Sequence, residues 1–286
     1  MTGVDEKSLG YRLQAARQAA GLTQQQLCQK AGLSYSTLAK IERGAIKAPS
    51  IFTISQIAGV LGTSLDELAG APGNANAQPA AKKRSKSGVR FVFFDINGCL
   101  VRFFQRAFTR LAEETGAPAD IIETTFWHYN DAVCKGEMSV ADFNKVLAQR
   151  LKVPQLDWQA HYLAAIDPIP EMHELVHWAA EHYQIGLLSN TMPGFIEVMR
   201  QKGLIPNINY AAIVDSSQVG SIKPEKHIYQ AAQTAAQCSA EEILLVDDTR
   251  TNVMAAERLG WHVIWFDDYR PAELSKRIRV ALEPAE

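Results

Sequence analysis

At 286 residues and 47% hydrophobic content, the chain has enough apolar material for one large core or two unequal ones, and its composition is far from that of disordered proteins. Four cysteines (Cys28, Cys99, Cys134 and Cys238) are scattered without a Cys-x-x-Cys pair, which argues against a disulfide framework and a zinc site. No stretch of about 18 apolar residues occurs, nor does a basic-then-apolar leader, so neither a membrane span nor a secretory signal is expected and a cytosolic location is. The net charge of -2 hides an asymmetry: residues 1–70 carry +2, residues 71–88 carry +4 and the remainder carries -8. A polyanion would therefore meet the front of the chain and be repelled by the rest.

The front reads as short helices punctuated by glycine. Leu9, Leu13, Ala16 and Ala20 form one apolar stripe that Gly21 ends. Thr23-x-x-Gln26 is a capping box opening a second helix through Ala31, which Gly32 breaks. A third helix is predicted from about Ser34 to Arg43 with Leu38 and Ile41 inward, a fourth from Ser50 to Leu61, and a last turn from Ser64 to Glu67. The stretch AGLTQQQLCQKAGLSYSTLAKIERG at 20–44 resembles the phage-repressor and Cro-like helix-turn-helix (XRE) family, and the resemblance covers residues 9–69. It implies a DNA-binding domain over residues 1–70. Ser34, Tyr35, Ser36 and Lys40 then face outward as candidates for base edges. Gln24, at a helix N-terminus, and Arg43, where the chain leaves the recognition helix, are candidates for positioning on phosphates. The family's buried arginine–glutamate pair falls on Arg17 and Glu42, a structural assignment. One such head contacts few phosphates, so a homodimer on a double-stranded operator with two half-sites is expected.

Residues 71–88, rich in Gly, Pro, Ala, Asn and Ser without a large apolar side chain, read as a flexible linker. Its cluster Lys82, Lys83, Arg84 and Lys86 is either a solvated charge run or a phosphate contact. Residues 89–286 change grammar. Apolar runs FVFFD (91–95), IGLLSN (185–190), AAIVDSS (211–217), ILLVDD (243–248) and HVIWFDD (262–268) alternate with helical stretches, as buried strands of a parallel sheet with crossover helices do. Between the first two runs lie helical stretches near 104–115, 119–133, 140–151, 158–165 and 171–182. The first four exceed one crossover and read as an inserted cap at about 102–168. The fold class is thus an all-α helix-turn-helix domain followed by an α/β Rossmann-like domain with a parallel sheet and a helical cap.

Each strand end carries polar residues where doubly wound sheets build their sites. FVFFDINGCL (91–100), LLSNT (187–191), SIKPEKHIY (221–229) and LLVDDTRTN (244–252) resemble, in order and separation, the four motifs of the haloacid dehalogenase (HAD) superfamily. The resemblance implies that Asp95 is a nucleophile attacking phosphorus, with Ser189 and Lys223 neutralising the phosphoryl oxygens. It implies Mg2+ held by Asp95, Asp247, Asp248 and the backbone carbonyl of Asn97. Gly98, Ser189, Asn190 and Lys223 are then expected at the phosphate of a phosphorylated small molecule. Asn252 either orders the acidic loop or caps a helix. Phe103, Phe104, Trp127, His128, Tyr129 and Lys135 are candidates to face the ligand from the cap, with cap core the commoner place for such aromatics and a packed or solvated position the commoner one for His128. Cys99 replaces a threonine usual in the first motif, and little is drawn from it.

One position departs from the family. Phosphatases carry a second aspartate, a general acid and base, two residues after the nucleophile, and here that place holds Asn97. An amide transfers no proton near neutral pH, and such transfer is typically worth about 100- to 10,000-fold in rate. Three readings follow. The first is a transcriptional regulator whose HAD-like domain binds Mg2+ and a phosphorylated metabolite, or keeps a phosphoryl group on Asp95, with weak or no turnover. The second is an active phosphomonoester hydrolase with an attached DNA-binding domain. The third is a dead domain serving as a dimerisation or partner surface.

Overall fold

The computed structural model describes residues 6–46, 49–61, 68 and 82–284. The chain divides into two units, residues 1–80 and 81–286.

In the first unit the described helices are α1 (Glu6–Ala19), α2 (Gln24–Ala31), α3 (Tyr35–Glu42) and α4 (Ile51–Leu61). The turn expected at Ser64 to Glu67 lies outside the described residues, as do linker residues 71–81. Both strands of the capping box form: the Gln26 N–H donates to Thr23 Oγ1 (3.2 Å) and the Thr23 N–H donates to Gln26 Oε1 (2.8 Å). Gly32, at φ 64°, closes α2 in the left-handed region that a β-carbon disfavours, and Ser34 then caps α3 by accepting from the Thr37 N–H. Leu13, Leu27, Leu38, Ile41, Ile54 and Ile57 form the core. Each such burial contributes about 1.5–3 kcal/mol, which a unit this small needs. Gly10 sets how closely α1 meets α3, because a β-carbon there would lie 2.6 Å from the Ile41 carbonyl oxygen.

In the second unit β1 (Phe91–Phe94) leads into the cap, built from α5 (Arg106–Thr115), α6 (Ala119–Cys134), α7 (Val140–Leu151) and α8 (Trp158–Ala165). The cap's two ends lie side by side. Val101 pairs with Pro168, the Arg102 N–H donates to the Asp167 carbonyl (2.8 Å) and the Ile169 N–H to that of Leu100 (2.9 Å). Phe104, Phe108, Phe126, Phe143 and Trp158 fill the cap core, mostly edge to face.

After α9 (Pro170–His182) come β2 (Gln184–Ser189), α10 (Phe195–Gln201), β3 (Ala212–Asp215), α11 (Ser216–Val219) and α12 (Lys226–Ala236). β4 (Ile243–Asp247), α13 (Arg250–Arg258), β5 (His262–Trp265) and α14 (Pro271–Ala281) complete the unit. All five strands are parallel, in the order β3-β2-β1-β4-β5. The side-chain period of two splits β1: Val92 and Phe94 join the core that runs into the cap, while Phe91 and Phe93 pack with Tyr229 and Trp261 on the opposite face. Being central and buried on both faces, β1 can only be a continuous apolar run, which is how its sequence reads. Both neighbours of β1 leave from its side, so the order reverses there and a crevice opens beyond its carboxyl end. No described helix is long and apolar enough to cross a membrane.

Residues 82–88, assigned to the linker by composition, are held against this second unit. The Lys83 N–H donates to the His182 carbonyl (2.7 Å) and the Lys86 N–H to that of Glu283 (2.8 Å). Ser85 pairs with Pro284 and is buried, and Arg84 meets Glu242. Composition misses this because the segment is held by main-chain and charge contacts, not by apolar side chains of its own. The basic cluster is accordingly neither a free solvated run nor wholly available to phosphate.

Candidate functional site

Parallel strands deliver their carboxyl ends to one side, and there the motif residues meet. Asp95 directly follows β1, Ser189 ends β2, Asp247 ends β4 with Asp248 behind it, and Lys223 arrives on the loop between α11 and α12. Lys223 Nζ lies 3.0 Å from Asp95 Oδ1 and 2.6 Å from Asp247 Oδ2, all three side chains being almost fully buried. Carboxylate oxygens of Asp95, Asp247 and Asp248 lie within 4.8 Å of one another.

This cluster is short of positive charge. Three carboxylates face one ammonium, and the titration behaviour follows. Burial, opposed by the Lys223 charge and reinforced by that of Asp247, pushes Asp95 up to about 6. Burial and then the charges of Asp95 and Asp247 push Asp248 up to about 7. Burial works against the Lys223 ammonium, but Asp247 and Asp95 outweigh it and hold the proton on more tightly than usual. A divalent cation with hard oxygen ligands fits this donor set and its missing charge. Ser189 Oγ is buried with no hydrogen-bond partner, an orphan hydroxyl that a bound oxyanion would satisfy.

The surrounding residues orient the cluster. Asn252 Nδ2 donates to both Asp247 oxygens (3.1 and 3.2 Å), and the Thr249 N–H donates to Asp247 Oδ1 (2.8 Å). Of its two readings, Asn252 takes the ordering of the acidic loop; the helix cap position belongs to Thr249. Asn190, expected at the phosphate, spends its amide on the Lys223 backbone, accepting from its N–H (2.7 Å) and donating to its carbonyl (2.8 Å). It braces the lysine loop. Gly98 also differs from expectation, for its N–H is taken by the Val101 carbonyl (2.8 Å). Its service is steric: φ is 78°, and a β-carbon would stand 2.1 Å from Asp248 Oδ2.

Asn97 has a partner that sequence reasoning missed. Tyr162, a buried residue of α8 in the cap, donates from Oη to Asn97 Oδ1 at 2.5 Å. A tyrosine inside an apolar helix stripe carries no signal of this. The cleft, about 270 Å³, is walled by Asp95, Asn97, Lys223 and Asp248 below and by Phe103, Phe104, Trp127, Asn130 and Asp131 above. Phe104 serves the cap core and the cleft at once. His128 and Tyr129 line a different depression with Arg150, and Lys135 pairs with Glu225.

In the first unit Ser34, Tyr35, Ser36, Lys40 and Arg43 are exposed, with Ser34 engaged as the cap of α3 and Arg43 Nε donating to the Ala39 carbonyl (3.0 Å). Arg17 grips Glu42 through two bonds (2.7 and 3.1 Å). Gln24, expected on a phosphate, turns inward and donates from Nε2 to Glu42 Oε2 (2.6 Å). A buried carboxylate with an open lone pair outcompetes solvent for that amide.

Residues 13–68 match the helix-turn-helix family and residues 89–260 the haloacid dehalogenase-like hydrolase family. Among curated proteins, the chain is 33% identical over 104 residues to the uncharacterized HTH-type transcriptional regulator RghRB of Bacillus subtilis, covering 36% of this chain and 69% of that one. It is 43% identical over 63 residues to the immunity repressor protein of Bacillus phage phi105, covering 22% of this chain and 43% of the repressor. Among solved structures, a HAD family enzyme of Bacteroides thetaiotaomicron in complex with magnesium and inorganic phosphate superposes with a TM-score of 0.51 at 19% identity, over 62% of this chain and 94% of that one. A HAD-like family hydrolase of Porphyromonas gingivalis gives 0.54 at 24%, over 67% and 98%. These structural likenesses establish the fold. With 89–260 spanning more than half its length, the chain belongs to the haloacid dehalogenase-like hydrolase family, fused behind a helix-turn-helix domain of the XRE type.

Proposed function

We propose that this protein is a transcriptional regulator, dimeric on a double-stranded DNA operator in the cytoplasm, whose HAD-like domain binds Mg2+ and a phosphorylated small molecule or phosphoryl group with little or no turnover. One observation carries the reading. Asp95, Ser189, Lys223, Asp247 and Asp248 are gathered beyond the carboxyl ends of the strands, a set suited to a phosphoryl group, while the neighbouring position that a phosphatase needs for proton transfer is an amide whose oxygen is already bonded to Tyr162.

Asp95, Asp247 and Asp248 would hold the metal, with the Asn97 carbonyl as a further ligand. When bound, Mg2+ supplies the positive charge that this cluster lacks and draws phosphoryl oxygens to it. Asp95 is the nucleophile, Lys223 keeps its carboxylate and the phosphoryl oxygens from repelling one another, and Ser189 Oγ donates the hydrogen bond it has no partner for. The Bacteroides neighbour's complex with magnesium and inorganic phosphate supports this assignment. In the head, Ser34, Tyr35, Ser36 and Lys40 would read bases and Arg43 a phosphate; the transcriptional-regulator and repressor relatives support DNA as the partner. Gln24, one amide hydrogen of which goes to Glu42, would meet a phosphate with the other and with the N-terminus of α2.

The test is turnover of phosphomonoesters with Mg2+ by the wild type, Asn97→Asp and Asp95→Asn, alongside calorimetric binding of Mg2+ and inorganic phosphate. Binding without turnover in the wild type, with turnover gained about 100-fold or more in Asn97→Asp, is expected. Robust wild-type turnover lost in Asp95→Asn would instead establish the hydrolase, a reading favoured by one feature: Asp131 on the cap faces the same cleft and carries a carboxylate.

A further inference from the structure

The Tyr162–Asn97 bond fixes which way the amide faces. Tyr162 Oη makes hydrogen bonds to Asn97 Oδ1 at 2.5 Å and to Met199 Sδ at 3.7 Å. A thioether is a weak acceptor, so the phenol's proton goes to the amide oxygen. Asn97 Oδ1 is thereby occupied from the cap side, which leaves Nδ2 as the amide atom free for a ligand in the cleft that Asn97 lines. The position is a neutral, aimed hydrogen-bond donor. It offers a proton to share with a phosphoryl oxygen and none to transfer.

That asymmetry selects a substrate class. Transfer from an alkyl phosphomonoester expels an alkoxide that must be protonated, and hydrolysis of the product needs a base on water. An acyl phosphate needs neither for its first step. The Asp95 carboxylate oxygen attacks phosphorus, the bond from phosphorus to the acyl oxygen breaks with its electron pair, and a carboxylate leaves that is stable as an anion, with a pKa of about 4. No proton moves. One mixed anhydride is exchanged for another, now on Asp95, and position 97 offers no base for the step that would remove it.

We propose that the domain takes a phosphoryl group from an acyl phosphate onto Asp95 and retains it, with Tyr162 as the positioning residue that locks Asn97 as a neutral donor to the phosphoryl oxygens. This rests on the phosphoryl-site reading above and goes further in naming the donor class, the retained species and the lock. The retained anhydride would be the signal-bearing form of the regulator.

The experiment incubates the full chain with acetyl phosphate and Mg2+ and follows intact mass. The wild type is expected to gain the mass of one HPO3, labile to hydroxylamine and absent in Asp95→Asn. Its decay should be about 100-fold or more slower than in Asn97→Asp, where a base is restored. Tyr162→Phe should lower loading about tenfold by freeing the amide to present its oxygen to the phosphoryl group. The same change made in Asn97→Ala should have no additional effect, whereas a merely structural tyrosine would act in both backgrounds. Binding of Mg2+ and inorganic phosphate without any mass gain would overturn this inference and leave the proposed function standing. Absence of both binding and mass gain would overturn the two together. Rapid loss of the phosphoryl group in the wild type that Asp131→Asn prevents would overturn retention and make Asp131 the base.

Discussion

Among the described residues, buried ion pairs lie in two clusters, one in each unit, and the two are built on opposite principles. In the head, Arg17, Glu42 and Gln24 form a closed set: one positive and one negative charge, with both carboxylate oxygens taken. In the body, Asp95, Lys223, Asp247 and Asp248 form an open set, with excess negative charge, raised carboxyl pKa values and an orphan hydroxyl at Ser189. Both carry a buried ion pair, so ion pairing by itself does not mark a functional site. Charge balance and satisfied hydrogen bonds separate them: the closed set needs nothing more, and the open set needs a cation and an oxyanion.

The largest test of that contrast is Glu42→Ala. It strands a buried guanidinium and should cost the head about 3–5 kcal/mol, enough to remove DNA binding and the head's unfolding transition while the body's transition in urea is unchanged. An equal effect on both transitions would show the units to be energetically fused.

Next is the response to Mg2+. The raised Asp95 and Asp248 values favour the protonated forms in the folded, metal-free body. Their stabilisation is therefore fully present below the ordinary carboxylate range and is lost as pH rises through about 6 to 7. Metal-free Tm of the body should fall between pH 5 and pH 8. Mg2+ should offset the fall, contributing about 2.7 kcal/mol at a hundredfold excess over Kd at pH 8 and much less at pH 5. The head, being closed, should not respond; a head transition that shifts with Mg2+ would break the comparison.

Gly98→Ala is expected to cost about 1–3 kcal/mol through its left-handed backbone and to displace Asp248, which a β-carbon would meet at 2.1 Å. Weakened Mg2+ binding by calorimetry checks it. The smallest effects concern the head's surface. Lys40→Ala should relax operator preference at one position by about 1–3 kcal/mol, and Arg43→Ala should weaken all sequences alike and lower the salt slope by about 1.

Much of this was legible in the residues themselves. Strand limits, head helices, the placement of Asp95, Ser189, Asp247 and Asp248 at strand ends and that of Lys223 on the loop before a helix all come from local pattern, because side-chain period and turn chemistry act within a few residues. What escaped were partnerships across distance. Tyr162 reaches Asn97 from 65 residues away, Gln24 reaches Glu42 across 18, and Asn190 reaches the Lys223 backbone across 33. Composition assigned residues 82–88 to a linker, since their hold on Glu283 and His182 uses backbone groups that every residue has.

The sequence by itself therefore determined the two-part architecture and the identity of the chemical groups, including the amide at Asn97. Tertiary structure decided how those groups are spent: Gln24 and Asn190 as internal braces, Gly98 as clearance for Asp248, and the Asn97 side-chain oxygen as the acceptor for Tyr162. The reason is physical. A side chain's chemistry is carried by its residue type, but which of its lone pairs and protons are taken, as Asn97 Oδ1 is by Tyr162, depends on neighbours that only folding brings within hydrogen-bond reach.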